Sequence, residues 1–138
     1  MTEDQPGGEQ LTVLVYSHDP VIREQVRLAV GHRPDRALPP IAYIEEATGG
    51  GVVARCDAGG IDLAILDGEA WPTGGMGICR QLRDELATPP PVLLLTGRPD
   101  DAWLATWSRA EAAVPHPIDA VRLTAAVTDL LRRFPARR

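Results

Sequence analysis

Residues 61–67 read IDLAILD, four consecutive apolar side chains between two aspartates. The run is short, aliphatic and does not alternate with polar residues. That pattern predicts a strand buried on both faces, with Asp67 delivered at its C-terminal end. Upstream, LTVLVY (11–16) has the same character, and downstream so does PVLLLT (91–96). IAYIEEA (41–47) and EAAVP (111–115) read as a second and a fifth strand. Helical segments separate the strands. Asp19-Pro20 places an acid at an N-cap and proline at the first helical position, and Gly31 closes that helix. A short helix of Val52 to Ala58 is expected between glycines, then one at 76–86 with Ile78, Leu82 and Leu86 at intervals of four. Pro99 with Asp100 and Asp101 starts a helix over 99–109. The last helix is predicted from Pro117 to about Arg133, with Leu123, Val127, Leu130, Leu131 and Phe134 on one face. Strand and helix alternate five times, which predicts an α/β fold with a parallel sheet covered by helices on both faces.

With 138 residues the chain is read as one domain over 11–134, a flexible N-terminal tail over 1–10 and a basic C-terminal tail over 135–138. The net charge is -5 and every basic residue is arginine, with no lysine anywhere. That balance argues against direct DNA binding. Cys56 and Cys79 make no disulfide framework and read as buried thiols of a reducing cytosol. No apolar run reaches membrane-spanning length and the N-terminus is not a signal peptide, so the expected location is cytoplasmic without membrane insertion. The bias toward Arg, Ala, Gly and Pro suggests a GC-rich bacterial genome.

Open parallel sheets gather their functional groups at the C-terminal ends of the strands. Here those positions hold Ser17, His18 and Asp19, then Asp67, Thr96 and His116-Pro117. In order and spacing, VLVYSHDPVIR (13–23), IDLAILD (61–67), PVLLLTG (91–97) and AAVPHPID (112–119) resemble the receiver domain of bacterial two-component response regulators. The resemblance implies a CheY-like, flavodoxin-like (βα)5 doubly wound sheet of five strands in the order 2-1-3-4-5. It implies that Asp67 is the residue a histidine kinase phosphorylates, that Thr96 supplies the hydroxyl that binds the phosphoryl oxygens, and that the His116-Pro117 bond is cis. A carboxylate at the open end of a sheet is suited to in-line attack on phosphorus.

Several positions depart from the family pattern. Its acidic pair, which holds magnesium, falls on Ser17 and His18. Magnesium prefers hard oxygen ligands, whereas histidine suits zinc or copper better. The magnesium site at Ser17, His18 and Asp67 is therefore read as degenerate, with binding weak or absent and no other cofactor expected. Asp19 reads as a helix cap. The family's lysine falls on His116, which carries full charge only near or below its ordinary pKa of about 6.5. Trp71-Pro72 and Gly77 are displaced relative to the family's Met-Pro and Gly, so the loop after the third strand is longer. The aromatic switch position holds Ala113. A hydrogen-bonded His18 and His116 pair beside Asp67, filling the vacated pocket, is expected ahead of a transition-metal site built from the same three residues.

Trp103 and Trp107, four apart, share a helix face that suits either core packing or a partner interface, and at least one of them is expected at the interface. RRFPARR (132–138) reads as a solvated basic end. The expected function is a stand-alone, atypical receiver that is no enzyme and acts through protein contacts without phosphorylation, as a subunit or regulator of a larger assembly. Its partner is a protein, with a histidine kinase as one candidate. The alternative is a phosphorylatable single-domain regulator that accepts phosphate on Asp67. A small-ligand binder on the same fold comes last: YSHDP is not a Ser/Thr/Gly-rich phosphate loop, and the Asp-x-His-x-x-Gly of a cobalamin binder is absent.

Overall fold

The computed structural model describes residues 9–98 and 103–135, and of the side chains at 104 and 105 nothing is stated. The polar stretch 1–8, the expected helix start at 99–102 and the arginine-bearing end 136–138 lie outside those residues. Among the described residues ten elements alternate: β1 (Leu11–Tyr16), α1 (Pro20–Val30), β2 (Ile41–Glu46), α2 (Gly49–Ala58), β3 (Leu63–Asp67), α3 (Gly75–Glu85), β4 (Val92–Thr96), α4 (Trp103–Ser108), β5 (Ala112–Pro115) and α5 (Ala120–Arg133). The strands form one sheet in the order β2-β1-β3-β4-β5, and every pairing is parallel. The expected order 2-1-3-4-5 is the one observed.

Because successive side chains on a strand point to opposite faces, each apolar run feeds two cores. Val13, Val15, Leu63, Ile65, Leu93 and Leu95 pack against Val26 of α1 and Leu123, Val127 and Leu130 of α5. Leu14, Tyr16, Ala64, Leu66, Val92 and Leu94 pack on the other face with Val52 and Cys56 of α2 and Ile78, Cys79 and Leu82 of α3. Both cysteines are free and buried. Burial disfavours their thiolates and pushes the Cys56 thiol up to about 11.

Two helices start elsewhere than the sequence reading placed them. α2 begins at Gly49, three residues before Val52, because Thr48 caps it: Thr48 Oγ1 accepts the Gly51 N–H at 3.1 Å. The glycines there give closeness. A Cβ on Gly51 would fall 2.1 Å from Glu46 Oε1, and one on Gly49 would fall 3.3 Å from Ile78 Cδ1. α5 starts at Ala120 and not at Pro117, since Asp119 is its N-cap, with Oδ1 accepting from Val121 N at 2.9 Å and Arg122 N at 3.2 Å. Asp19 caps α1 in the same way, accepting from Val21 N at 2.9 Å. The peptide bond before Pro117 is cis, as the resemblance implies, and so is the bond before Pro72.

Candidate functional site

Backbone hydrogen bonds run past the ends of the strands and fix the residues that follow them. Ser17 N donates to Glu46 O at 3.4 Å, Gly68 N to Leu95 O at 2.7 Å and His116 N to Thr96 O at 2.7 Å. Ser17, Asp67 and His116 are thereby held together at the C-terminal ends of the strands. Their side chains meet on the Asp67 carboxylate, which is 2% exposed. Ser17 Oγ donates to Oδ2 at 2.9 Å. His116 Nε2 donates to Oδ1 at 3.0 Å, and the Glu69 N–H donates to the same oxygen at 2.9 Å. Ser17 Oγ in turn accepts the Asp19 N–H at 3.1 Å.

The electrostatics follow from these contacts. Burial works against the Asp67 charge, but the bonds from His116, Glu69 N–H and Ser17 outweigh it and hold the carboxyl below its ordinary value. The bond to Asp67 raises His116 above 6.5, against the effect of burial, and the charges of Asp67 and Glu69 add to the rise. Asp67 and His116 thus each favour the charged form of the other. The phenol of Tyr16 is raised first by burial and then by the Asp67 charge.

His18, Asp19, Ile22, Asp67, Glu69, Gly97 and His116 line an open crevice of about 270 Å³ over this pair. The expected bonded pair of histidines is not how the pocket is filled. His18 Nδ1 accepts the Trp71 N–H at 2.9 Å, while His116 bonds to Asp67. The two residues at the family's acidic positions have other tasks: Ser17 holds Asp67, and His18 anchors the loop over 68–74. Tyr16 OH donates to Thr73 O in that same loop. Thr96 is buried, with its hydroxyl donating to Arg98 O at 3.3 Å and so turned into its own loop. Pro117 follows His116 at the rim. Arg23 NH1 donates to Ser17 O at 2.7 Å and Arg23 Nε to Glu45 Oε1 at 3.0 Å, a brace that the sequence reading did not single out.

This donor set does not fit a magnesium ion held in the family's manner. The Ser17 hydroxyl is spent between Asp67 and Asp19 N–H, His18 is a nitrogen donor already bonded to Trp71, and the Asp19 carboxylate caps α1. Among the described residues no group of three or more His, Cys, Asp or Glu is placed to hold a metal ion. A larger cavity, of about 580 Å³, lies at the opposite end of the sheet between the C-terminal ends of α2 and α3. Cys56 and Asp57 are its titratable groups, whereas the strand-end residues Asp67 and His116 meet at the smaller crevice.

On α4, Trp103 is 63% and Trp107 51% exposed. The Arg80 guanidinium sits 4.7 Å from the centre of the Trp107 ring, and Arg80 NH1 donates to Trp107 O at 2.7 Å. Trp71, whose backbone N–H bonds to His18 of the crevice, is 74% exposed. No helix among the described residues is long and apolar enough to cross a membrane.

No protein-family model matches the chain. It is similar to the uncharacterized response regulatory protein Rv3143 of Mycobacterium tuberculosis, with 62% identity over 122 residues that cover 88% of this chain and 92% of the relative. It is 32% identical over 129 residues to the transcriptional regulatory protein CseB of Streptomyces coelicolor, covering 92% of this chain and 52% of the relative. Among solved structures, the receiver domain of the putative response regulator NarL from Mycobacterium tuberculosis superposes with a TM-score of 0.72 at 21% identity, over 90% of this chain and 98% of that one. The Francisella response regulator 1452 receiver domain gives 0.74 at 16% identity, over 91% and 99%. These structures share the fold. With Asp67 at the end of β3 and a relative of nearly equal span at 62% identity, the chain belongs to the response regulators of two-component signalling, as a receiver domain.

Proposed function

We propose that this receiver domain works through protein contacts without phosphorylation of Asp67. The observation that carries the reading is the state of that carboxylate. Both oxygens are engaged by Ser17, His116 and the Glu69 N–H, and the residue is 2% exposed. In-line attack on phosphorus needs a free carboxylate oxygen facing the donor, and it needs cations that neutralise the incoming phosphoryl charge. Here Oδ1 carries two donors and Oδ2 one on a carboxylate that is almost wholly covered, and the positions of the family's magnesium ligands hold Ser17 and His18. On this reading the domain binds magnesium weakly or not at all, works in the cytoplasm, folds as a unit over 11–134, and offers the exposed Trp103 and Trp107 to a protein partner.

One observation favours a second reading. His116 Nε2 lies 3.0 Å from Asp67 Oδ1, where a protonated ring can offset part of a phosphoryl charge. In that case the chain is a phosphorylatable regulator that accepts phosphate from a histidine kinase. Acetyl phosphate with and without magnesium, followed by intact mass, separates the two. No adduct is expected. A magnesium-dependent adduct that disappears in Asp67→Asn, with NMR shifts spreading from Thr96 into α4 and α5, establishes the second reading instead.

A further inference from the structure

Gly97 follows Thr96 at the end of β4, and the place of its missing side chain is occupied. A Cβ built on Gly97 would lie 2.6 Å from both Cδ and Oε1 of Glu69 and 2.9 Å from Oε2. The whole Glu69 carboxyl group therefore rests on the Gly97 backbone, reaching across from the loop after β3 to the loop after β4. Its backbone is tied to the same centre, because the Glu69 N–H donates to Asp67 Oδ1 at 2.9 Å. Its charge also acts there, since Glu69 joins Asp67 in favouring the protonated form of His116. Asp67, Glu69, Gly97 and His116 line a single crevice, together with Asp19 and His18. An anion attached to Asp67, or bound beside it, would need the space between Gly97 and His116. It would also meet a carboxylate already in place there, with the His116 ring as the one basic group of the crevice beside His18.

We propose that the Glu69 carboxylate is an internal anionic ligand of the crevice, seated between Gly97 and His116 so that it excludes an outside anion from the side of Asp67. This deepens the phosphorylation-independent reading and rests on it for its consequence: the domain carries its negative group in its own chain. Glu69 is an exposed residue, so replacing it is compatible with folding.

The test is a titration of beryllofluoride with magnesium into wild type, Glu69→Gln and a remote charge control, Glu85→Gln, followed by ¹⁹F NMR and by the pH titration of the His116 ring protons. Glu69→Gln is expected to bind the anion at least about tenfold tighter than wild type and to lower the His116 midpoint by about half a pH unit. Glu85→Gln is expected to change neither. Gly97→Ala keeps the charge but fills the space with a methyl, and is expected to lower the same midpoint by pushing the carboxylate away. If Glu69→Gln binds the anion no better than wild type, or Glu85→Gln improves binding equally, the proposal is overturned. Wild type decides the other question separately. Tight binding by wild type overturns the phosphorylation-independent reading, whether or not Glu69→Gln improves on it.

Discussion

His116 Nε2 stands 3.0 Å from Asp67 Oδ1, with 19% of the histidine side chain and 3% of the aspartate exposed. A buried carboxylate is tolerated only when paired and bonded, and here an imidazole supplies both in a chain without lysine. His116→Gln keeps a donor of similar reach and loses the charge. The expected cost is about 1 kcal/mol, less than the roughly 1.5–3 kcal/mol of losing a hydrogen bond to a charged group outright, read from urea unfolding at pH 6. A loss below about 0.5 kcal/mol would mean that Ser17 and the Glu69 N–H suffice for Asp67.

The same pair gives stability a dependence on pH. His116 is raised above 6.5 by its bond to Asp67, so its contribution is complete below 6.5 and is lost as pH rises through the higher folded value. Asp67 is held below 3.8, with the bonds from His116, Glu69 N–H and Ser17 outweighing burial. Its contribution is present above 3.8 and is lost as pH falls through the lower folded value. The melting temperature is expected to fall on the alkaline side of 6.5 in wild type, and this part of the decline should vanish in His116→Gln. Identical alkaline profiles for the two proteins would remove His116 as the source.

How much of this was open to the sequence depended on whether one segment or several set the outcome. Leu63–Asp67 and Val92–Thr96 announced themselves because burial on both faces leaves apolar runs without alternation. Asp67 and His116 followed as strand-end residues. Helix propensity misled at Gly49–Gly51, where a cap from Thr48 and the nearness of Glu46 favour helix despite three glycines. At α5 Pro117 suggests a start, yet the Asp119 side chain decides it. Glu69 on Gly97, His18 on Trp71 and the turned-away Thr96 hydroxyl are products of loops folding against each other. No local pattern encodes those contacts.

The loop over 68–74 is tied down by Tyr16 OH on Thr73 O and by His18 Nδ1 on Trp71 N–H. Tyr16→Phe keeps the ring in the core and removes one buried bond, which is expected to cost about 1 kcal/mol. Because the loss falls on one loop, amide exchange at Trp71 and Thr73 should speed up more than exchange in β3. Uniform acceleration across the sheet would show that the bond supports the fold as a whole and not the loop.

Glu111, just before β5, is a further test of long-range polar contacts. Its Oε1 accepts the Val92 N–H at 2.6 Å and also an Arg83 NH2 donor, while Arg83 Nε donates to Arg109 O at 3.2 Å. The two side chains are 14% and 22% exposed, for Arg83 and Glu111 respectively, and so are partly shielded from solvent screening. They join α3 to the start of β4 and to the turn at Arg109, whose φ is 64°. Glu111→Ala removes an acceptor from a strand N–H and the partner of a half-buried guanidinium. The expected loss is about 2 kcal/mol, with Arg83→Ala costing about the same and the double variant costing clearly less than the sum. Additive losses in that cycle would show that Arg83 and Glu111 act independently, and that the Val92 N–H bond alone gives Glu111 its weight.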